Sequence, residues 1–205
     1  GLSKTLDKLF VPFDLGVEYI DEWAGTFPTV YPQNDDDYEK WFWANVRHVN
    51  MFYHWWLMNI RDSPVSLQER LVLCWHGHFA TDIRMNIEVA QHVYNQYRLL
   101  QKMCMGNFRE FVREMTQNIA MQLFLNLHDN YAYFGKKYIN ENYARELMEL
   151  HTMGIFDEHR QRNYTQKDVS EAARGLTGWH SKPSELGDGY MAMFSRFIPE
   201  RWDKD

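Results

Sequence analysis

The spacing of hydrophobic and polar positions is helical along most of the chain. The longest such pattern covers residues 38–61, follows Asp35, Asp36 and Asp37, and has apolar side chains most of the way round the predicted helix. Acidic residues in the first turn of a helix accept hydrogen bonds from its free N–H groups and suit its dipole. A helix that is apolar on nearly every side is typical of a central position or of cover by a partner.

Capping signals and glycines divide the rest of the chain into shorter helices. The expected elements are a second helix opened by a Ser66–Glu69 capping box, a third from Thr81 or Asp82 to Gly106, and a fourth from Asn107 to about Leu125. Two more are an acidic helix at 141–153, closed by Gly154, and a last helix from Thr165 to about Leu176. On the second helix, Leu67, Leu71, Cys74 and His78 fall on one stripe. No strand-like alternation of any length occurs, so the sequence predicts an all-α fold with about six helices around an aromatic-rich core.

Prolines and glycines concentrate towards the two ends of the chain. Pro12, Pro28 and Pro32 interrupt any long helix before the aromatic pattern, and Gly187 and Gly189 lie close together near the other end. The sequence therefore predicts a single helical domain at 1–205, with an irregular arm at 1–37, a helical core at 38–179 and a loop-rich tail at 180–205.

Composition narrows the class of protein. The chain has 205 residues, of which 16% are aromatic, and its formal net charge is −6. An acidic balance argues against nucleic-acid binding, which needs a basic face to release phosphate counterions. No run approaches the ~20 apolar residues of a membrane span, so none is expected. Cys74 and Cys104 lie inside apolar helical patterns, which indicates small buried side chains, and their pairing in a disulfide stays open.

The acidic helix places its charges on one side. At about 100° per residue, Glu141, Asn142, Arg145, Glu146 and Glu149 fall within an arc of about 140°, while Leu150 and His151 are on the other side with the apolar residues. In one interpretation the arc is a solvated surface on which Arg145 pairs with Glu141 and Glu149. In the other it lines a cleft, where Glu146 and Glu149 hold a cation or act as acid and base.

A second group of candidate residues lies in the segment Trp75-His76-Gly77-His78-Phe79. Residues i and i+2 of a helix point about 200° apart, so His76 and His78 can share a metal ion only where Gly77 breaks the helix. The ordinary interpretation of His78 is a hydrogen-bonded core histidine, which leaves His76 as the freer of the two.

The two groups together define a hypothetical site. Its candidate catalytic residues are Glu146, Glu149, His76 and Arg145, and its candidate metal ligands are His76, His78, Glu146 and Glu149. The cofactor of such a site would be a divalent metal ion. No Gly-rich phosphate loop, nucleophile elbow or H-E-x-x-H zinc helix occurs in the sequence.

Four segments of the chain are distinctive in their order and spacing: residues 67–79, 105–109, 140–154 and 164–179. Together they resemble the bacterial "domain of unknown function 1800" family, over roughly residues 50–180. The third segment, Asn-Glu-Asn-Tyr-Ala-Arg-Glu-Leu-Met-Glu-Leu-His-Thr-Met-Gly, and the fourth, which ends in Leu-Thr-Gly-Trp, are long and unusual. The chain departs from the family pattern at Asn118-Ile-Ala-Met121, where Asp-Pro-Ala-Met is usual, and at Ile139, where proline is usual.

The resemblance implies a helical protein that is exported to the periplasm, cell surface or exterior of a bacterium. It supplies no reaction and no catalytic residues. It also implies a longer architecture, of which this chain would be the N-terminal and central half.

Two functions agree with these features. The first is a structural or interaction component of an extracellular or cell-surface assembly, whose partner is another protein or the missing C-terminal half. The second is a metal-assisted hydrolase acting on an extracellular polymer, with Arg145 orienting an anionic substrate. We favour the first, because the charge pairing of the acidic helix and the divergence of His76 and His78 need no catalyst.

Overall fold

The computed structural model describes residues 34–63, 67–82, 89–133, 136–180 and 196–203. Within these ranges the chain is mostly helical, which confirms the all-α prediction. The helices are α1 (Asp35–Asp62), α2 (Gln68–His78), α3 (Ala90–Met103), α4 (Phe108–Thr116), α5 (Ile119–Phe124), α6 (Asn142–Glu146) and α7 (Gln166–Gly175), and a π-helix (Leu147–Thr152) continues α6. Short 3₁₀ turns occur at Leu127–Asp129 and Pro199–Arg201.

Two small antiparallel sheets accompany the helices. Strands β1 (Tyr131–Tyr133) and β2 (Lys136–Tyr138) form a hairpin with Tyr131 opposite Tyr138. Strand β3 (Trp179–His180), at the boundary of the predicted core and tail, pairs with β4 (Arg196–Phe197), so the predicted loop-rich tail is more regular there than expected. The sequence did not show these strands because two or three residues are too few for a period-two pattern.

The close pairing of β3 and β4 depends on Gly178. Its φ is +94°, and a Cβ there would lie 3.0 Å from a ring carbon of Phe197 and 3.1 Å from the carbonyl oxygen of Ile198. Only glycine combines this backbone angle with such close approach at little steric cost. Residues 181–195, which make up most of the predicted tail, lie outside the described ranges.

Helix α1 begins three residues before its predicted start, so the predicted boundary of the irregular arm at residue 37 is wrong. Asn34 is the N-cap, and its Oδ1 accepts from the N–H of Asp37 at 2.9 Å. The rest of the arm, residues 1–33, lies outside the described part of the chain. Helix α1 buries one stripe and exposes the opposite one, so it lies at the surface and is not enclosed on all sides; the buried residues are Asn45, Val49, Phe52, Trp56 and Asn59.

The aromatic-rich core forms where α1 packs on α3. The ring of Phe52 meets those of Tyr94 and Tyr97 edge to face, with centroids 5.9 and 5.4 Å apart. Trp56 meets Tyr97 in the same way at 5.2 Å. Edge-to-face contacts of this kind contribute about 0.5–1.5 kcal/mol beyond the area that they bury.

A buried carboxylate joins α1, α2 and α3. Glu69 accepts from Trp56 Nε1 at 3.0 Å, from the Tyr97 hydroxyl at 3.1 Å and from Gln101 Nε2 at 2.8 Å. The sequence assigned Glu69 to a capping box with Ser66, but its carboxylate binds these core donors; Ser66 itself lies outside the described residues. A buried carboxylate is tolerated because polar donors from two other helices replace its water.

Several predicted helix limits differ from the structure. Helix α3 begins at Ala90, not at Thr81 or Asp82. The predicted fourth helix is two helices, because Asn118 caps α5 by accepting from the N–H of Met121 at 3.3 Å. The usual Asp-Pro of the family would put a capping acid at 118 and proline at the first helical position. Asn118 preserves the cap, so the departure leaves this helix start intact.

The cysteines and the predicted stripe of α2 are also only partly as expected. Both cysteines are free; Cys104 is buried, as predicted, but Cys74 is exposed. The buried residues of α2 are Gln68, Glu69 and Val72. The sequence predicts the inner face of α2 from its apolar residues. In the structure the polar Gln68 and Glu69 lie on that face, and the core supplies hydrogen bonds to Glu69.

We expect Glu69→Ala to destabilise the fold by about 3 kcal/mol, because it leaves the buried donors of Trp56 and Tyr97 without their acceptor. Urea unfolding followed by far-UV circular dichroism measures this change. The exposed Glu158 provides a matched control, and Glu158→Ala should change stability by less than about 0.5 kcal/mol. Equal effects of the two substitutions would contradict the role given to the buried carboxylate.

Candidate functional site

The acidic helix, which consists of α6 and the π-helix, turns its first carboxylate towards α7. Glu141 accepts from the hydroxyl of Ser170 and from Gln166 Nε2 at 2.7 Å. Arg145 Nη2 lies 3.0 Å from Glu141 Oε2, which confirms the predicted i,i+4 pair. The hydrogen bonds from Ser170 and then Gln166 lower the pKa of Glu141, so this carboxyl stays ionised within a contact between two helices.

A capping box at the N-terminus of α7 fixes the first turn of the helix, from which the contact with Glu141 is made. Thr165 and Asp168 form the predicted capping box: the Asp168 N–H donates to Thr165 Oγ1 at 3.3 Å, and the Thr165 N–H donates to Asp168 Oδ2 at 2.7 Å. A reciprocal cap satisfies two free N–H groups and sets the first turn of the helix. Gln166 and Ser170, one turn apart, therefore face Glu141 together.

The start of the acidic helix is also held by side chains. Asn130 is buried, donates to the carbonyl oxygen of Ala173 at 2.7 Å and accepts from the N–H of Asn140 at 3.1 Å. Asn140 in turn accepts from the N–H of Asn142 at 3.0 Å. These bonds position the helix start without the proline that the family usually has at position 139.

The second half of the acidic helix is a π-helix, and this changes which residues face one another. Hydrogen bonds from i to i+5 turn the chain by less per residue than the about 100° of an α-helix. Glu149 consequently accepts from the Tyr164 hydroxyl at 3.3 Å, and Arg145 pairs with Glu141 and Gln166. These contacts take the place of the predicted ion pair between Arg145 and Glu149.

Gly154 ends the π-helix as predicted. Its φ is +73°, and its N–H and that of Met153 both donate to the carbonyl oxygen of Met148 at 2.9 Å. Asn163 Nδ2 then donates to the carbonyl oxygens of Met153 and Gly154 at 2.8 and 3.0 Å. The free carbonyl groups at the end of the helix are thus satisfied by the loop that leads to α7.

Glu146 and Glu149 are the carboxylates of the predicted cation site, and both are partly exposed. Burial, and then the nearby charge of Glu149, raise the pKa of Glu146, while Arg145 acts in the opposite direction. A raised pKa for one of two neighbouring carboxyl groups is what general acid–base chemistry requires, and it also occurs wherever like charges meet at a half-buried surface.

The acidic helix meets the Trp75–Phe79 segment through a histidine, not through its carboxylates. His78 Nε2 lies 3.0 Å from the carbonyl oxygen of His151, so His78 donates to the end of the π-helix. The two rings are 5.7 Å apart at an angle of 64°. His151 is buried, and neither of its ring nitrogens has a hydrogen-bond partner. The helical wheel placed His151 with the apolar residues, and the structure agrees that it points inward.

His76 takes a different direction from His78. Its ring packs edge to face on Trp56 with centroids 5.2 Å apart, and burial lowers its pKa. Helix α2 continues through Gly77 to His78, so the two side chains diverge as helical geometry requires. Across the described ranges, no three His, Cys, Asp or Glu side chains lie close enough together to hold one metal ion.

The sequence did not identify four residues that organise this region: His151, Tyr164, Gln166 and Ser170. The last three lie in the fourth segment of the resemblance, where only Thr165 and Asp168 carry a recognisable local signal. Their partners are 15 to 29 residues away in sequence. No local pattern reports such contacts, and the spacing of Gln166 and Ser170 by one turn was the only available signal.

The third and fourth segments of the resemblance are the two that form this interface. The pattern of the family described as protein of unknown function (DUF1800) matches residues 12–204 of the chain. The chain belongs to this family. The match extends beyond the range that carried the resemblance, on both sides. No curated protein and no solved structure matches the chain. None of the helices in the described ranges has the length and apolar character needed to cross a membrane.

Stability should depend on pH through buried histidines. Burial lowers the pKa of His92 to about 4, and burial followed by the proximity of His78 lowers that of His151. Both bind fewer protons when folded than when unfolded, where the pKa is about 6.5. Their contribution is therefore complete above about pH 6.5 and is lost as the pH falls below it.

We expect His151→Gln to reduce the slope of unfolding free energy against pH between about pH 6.5 and pH 5, by at most about 1.4 kcal/mol per pH unit. Urea unfolding at a series of pH values measures the slope. His159→Gln, at an exposed position, should leave it unchanged. If His151→Gln has the same slope as the natural chain across this window, the assignment of a buried neutral His151 is wrong.

Proposed function

We propose that the chain is an exported structural or interaction component of an extracellular or cell-surface assembly in bacteria. The observation that carries this proposal is the internal use of the polar arc. Glu141 binds Ser170, Gln166 and Arg145, and Glu149 binds Tyr164. Two carboxylates of the acidic helix therefore hold α7 and the residue two positions before it in place. Export rests on the resemblance to the family alone.

Apolar side chains at the neighbouring surface support the same proposal. Met105, Phe108, Leu150 and Met153, which we name the junction surface, are all exposed, and Leu150 is 61% exposed. Met105 and Phe108 lie just before and at the start of α4, and Leu150 and Met153 lie within and just after the π-helix. The ring of His78 connects the two places, with centroids 6.3 Å from Phe108 and 5.7 Å from His151. Exposed apolar residues that form a patch are typical of protein interaction sites.

The geometry suggests why this surface suits binding. Leu150 lies in the π-helix and is exposed, whereas the regular helical wheel placed it among the apolar residues opposite the charges. The hydrogen bond from His78 to His151 fixes the π-helix against α2, and Trp75 stacks on Phe108 with centroids 5.7 Å apart. A surface whose side chains stand on fixed elements loses little conformational entropy on binding.

A photoreactive benzoyl-phenylalanine introduced at Leu150 tests the junction surface in the native bacterium. We expect irradiation to give a crosslinked product of defined mass at Leu150, and none at Lys167, an exposed polar position on α7. Both variants should be equally abundant, because neither position is buried. No product at Leu150, or equal products at the two positions, would count against a partner at this surface.

The alternative function, a metal-assisted hydrolase, has one observation in its favour: Glu146 and Glu149 lie near enough that the charge of one raises the pKa of the other. A divalent cation bound between them would relieve that repulsion and stabilise the folded chain. Under the function proposed above, we expect Zn²⁺, Mn²⁺ or Ca²⁺ to leave the melting temperature of the purified chain unchanged.

Differential scanning fluorimetry measures the melting temperature with each metal ion and, as a reference, with a chelator. A rise of several degrees that disappears in Glu146→Gln and persists in Glu158→Gln would favour the hydrolase instead. A rise that persists in both variants would place the metal ion elsewhere and leave these carboxylates without a catalytic role.

A further inference from the structure

The outer face of α1 carries a symmetric pattern of residues. Glu39, Trp43, Asn50, Leu57 and Arg61 are all exposed, and successive members are separated by four, seven, seven and four residues. Steps of four and seven residues return to the same side of a helix, so these side chains form one stripe. The stripe lies opposite the residues that α1 buries in the core. From Glu39 to Arg61 the stripe carries an acid, an apolar residue, an amide, an apolar residue and a base. When a second copy of the helix runs in the opposite direction, each acid lies opposite a base and each apolar residue opposite an apolar residue.

The two apolar members of the stripe are large and well exposed. Trp43 is 57% exposed and Leu57 is 65% exposed, although both belong to a helix whose opposite face is packed against the core. Their distances from Asn50 are equal, at seven residues each. Two helices that run antiparallel and cross at Asn50 would place position 50+k opposite position 50−k. Trp43 of each copy would then cover Leu57 of the other.

We propose that α1 is a self-association surface, on which two copies of this chain pair as antiparallel helices around a two-fold axis at Asn50. A two-fold axis makes every contact occur twice, which is the usual arrangement of homodimers. An asparagine amide both donates and accepts, so the Asn50 side chains can pair across the axis. A single central asparagine between apolar positions is a known means of specifying the register of paired helices.

Charge complementarity determines the direction of the helices. In the antiparallel arrangement, Glu39 of each copy faces Arg61 of the other, which gives two opposite-charge pairs at the ends of the stripe. A parallel arrangement would instead place Glu39, Arg47 and Arg61 each against its own copy, with like charges repelling. Arg61 already donates from Nε and Nη2 to Asp62, and the guanidinium retains further N–H groups for a second carboxylate.

Arg47 and His54, which flank the stripe between Trp43 and Leu57, do not oppose the arrangement. Arg47 would lie opposite Tyr53, and His54 opposite Val46, so neither meets a like charge directly. The stripe from Glu39 to Arg61 is about 33 Å long, since each residue of a helix rises by about 1.5 Å. Two apolar contacts and two exposed ion pairs over this length predict a dimer whose population depends on protein concentration, not an obligate one.

This inference does not rest on the function proposed above. The junction surface lies on α4, the π-helix and the residues next to them, whereas the stripe lies on α1, so each surface can be tested without the other. A crosslink at Leu150 and a dimer through α1 can therefore succeed or fail separately.

Sedimentation velocity from micromolar to submillimolar concentration tests the dimer. We expect the mass to rise from that of the 24.8 kDa chain towards that of two chains. Leu57→Asp should keep the chain monomeric over the same range. Leu73→Asp, at an exposed leucine on α2, should dimerise like the natural chain. Circular dichroism should show that both variants are folded, because neither leucine is buried.

A charge exchange tests the direction of the helices. Glu39→Lys and Arg61→Glu should each weaken the dimer, and the double variant should regain it, because the two opposite-charge pairs are restored with their signs reversed. A chain that stays monomeric at every concentration overturns the proposal. A dimer that Leu57→Asp leaves intact would also overturn it, since the contact would then lie elsewhere. If the double variant dimerises no more strongly than the single variants, the antiparallel arrangement is excluded.

Discussion

The first three helices depend on one buried carboxylate. Glu69 lies in an aromatic core, where an ionised group is tolerated only if other groups replace the water that it has lost. Trp56 Nε1 from α1 and the Tyr97 hydroxyl and Gln101 amide from α3 do so. These donors are directional, so they specify how α1 and α3 are rotated relative to α2. Apolar packing alone specifies rotation less strictly, because many apolar arrangements bury a similar area.

The same rotation of α2 determines what happens at its other end. With Glu69 turned into the core, His78 reaches the carbonyl oxygen of His151 and Trp75 packs on Phe111 at 5.1 Å. The acidic helix is thereby attached to the first part of the fold at its C-terminal end, while Glu141 attaches its N-terminal end to α7. Between these two attachments, the second half of the acidic helix is a π-helix.

This arrangement bears on function because it separates the charges from the histidines. Glu141 binds α7, Glu149 binds Tyr164, the buried His151 contacts α2, and the apolar Leu150 is exposed. The exposed stripe of α1 adds a second surface, remote in sequence from the first. The described part of the chain thus combines polar groups that hold helices together with apolar groups that face outward, a distribution that suits binding to other proteins.

The sequence by itself determined the helical class, the family, the capping of α7, the closure of the acidic helix at Gly154 and the aromatic character of the core. These depend on local spacing and on residue types, which a sequence reports directly. Tertiary structure alone decided the place of Glu69, the pairing of β3 with β4, and the partners of Glu141 and Glu149. Each depends on residues that are distant in the chain: Glu141 binds Ser170 and Glu149 binds Tyr164 because α7 and the residues just before it pack beside the acidic helix. The division of the predicted fourth helix follows instead from the local cap at Asn118. A helical wheel assumes uniform winding and contains no neighbours, so it could group the carboxylates but not say what they would bind.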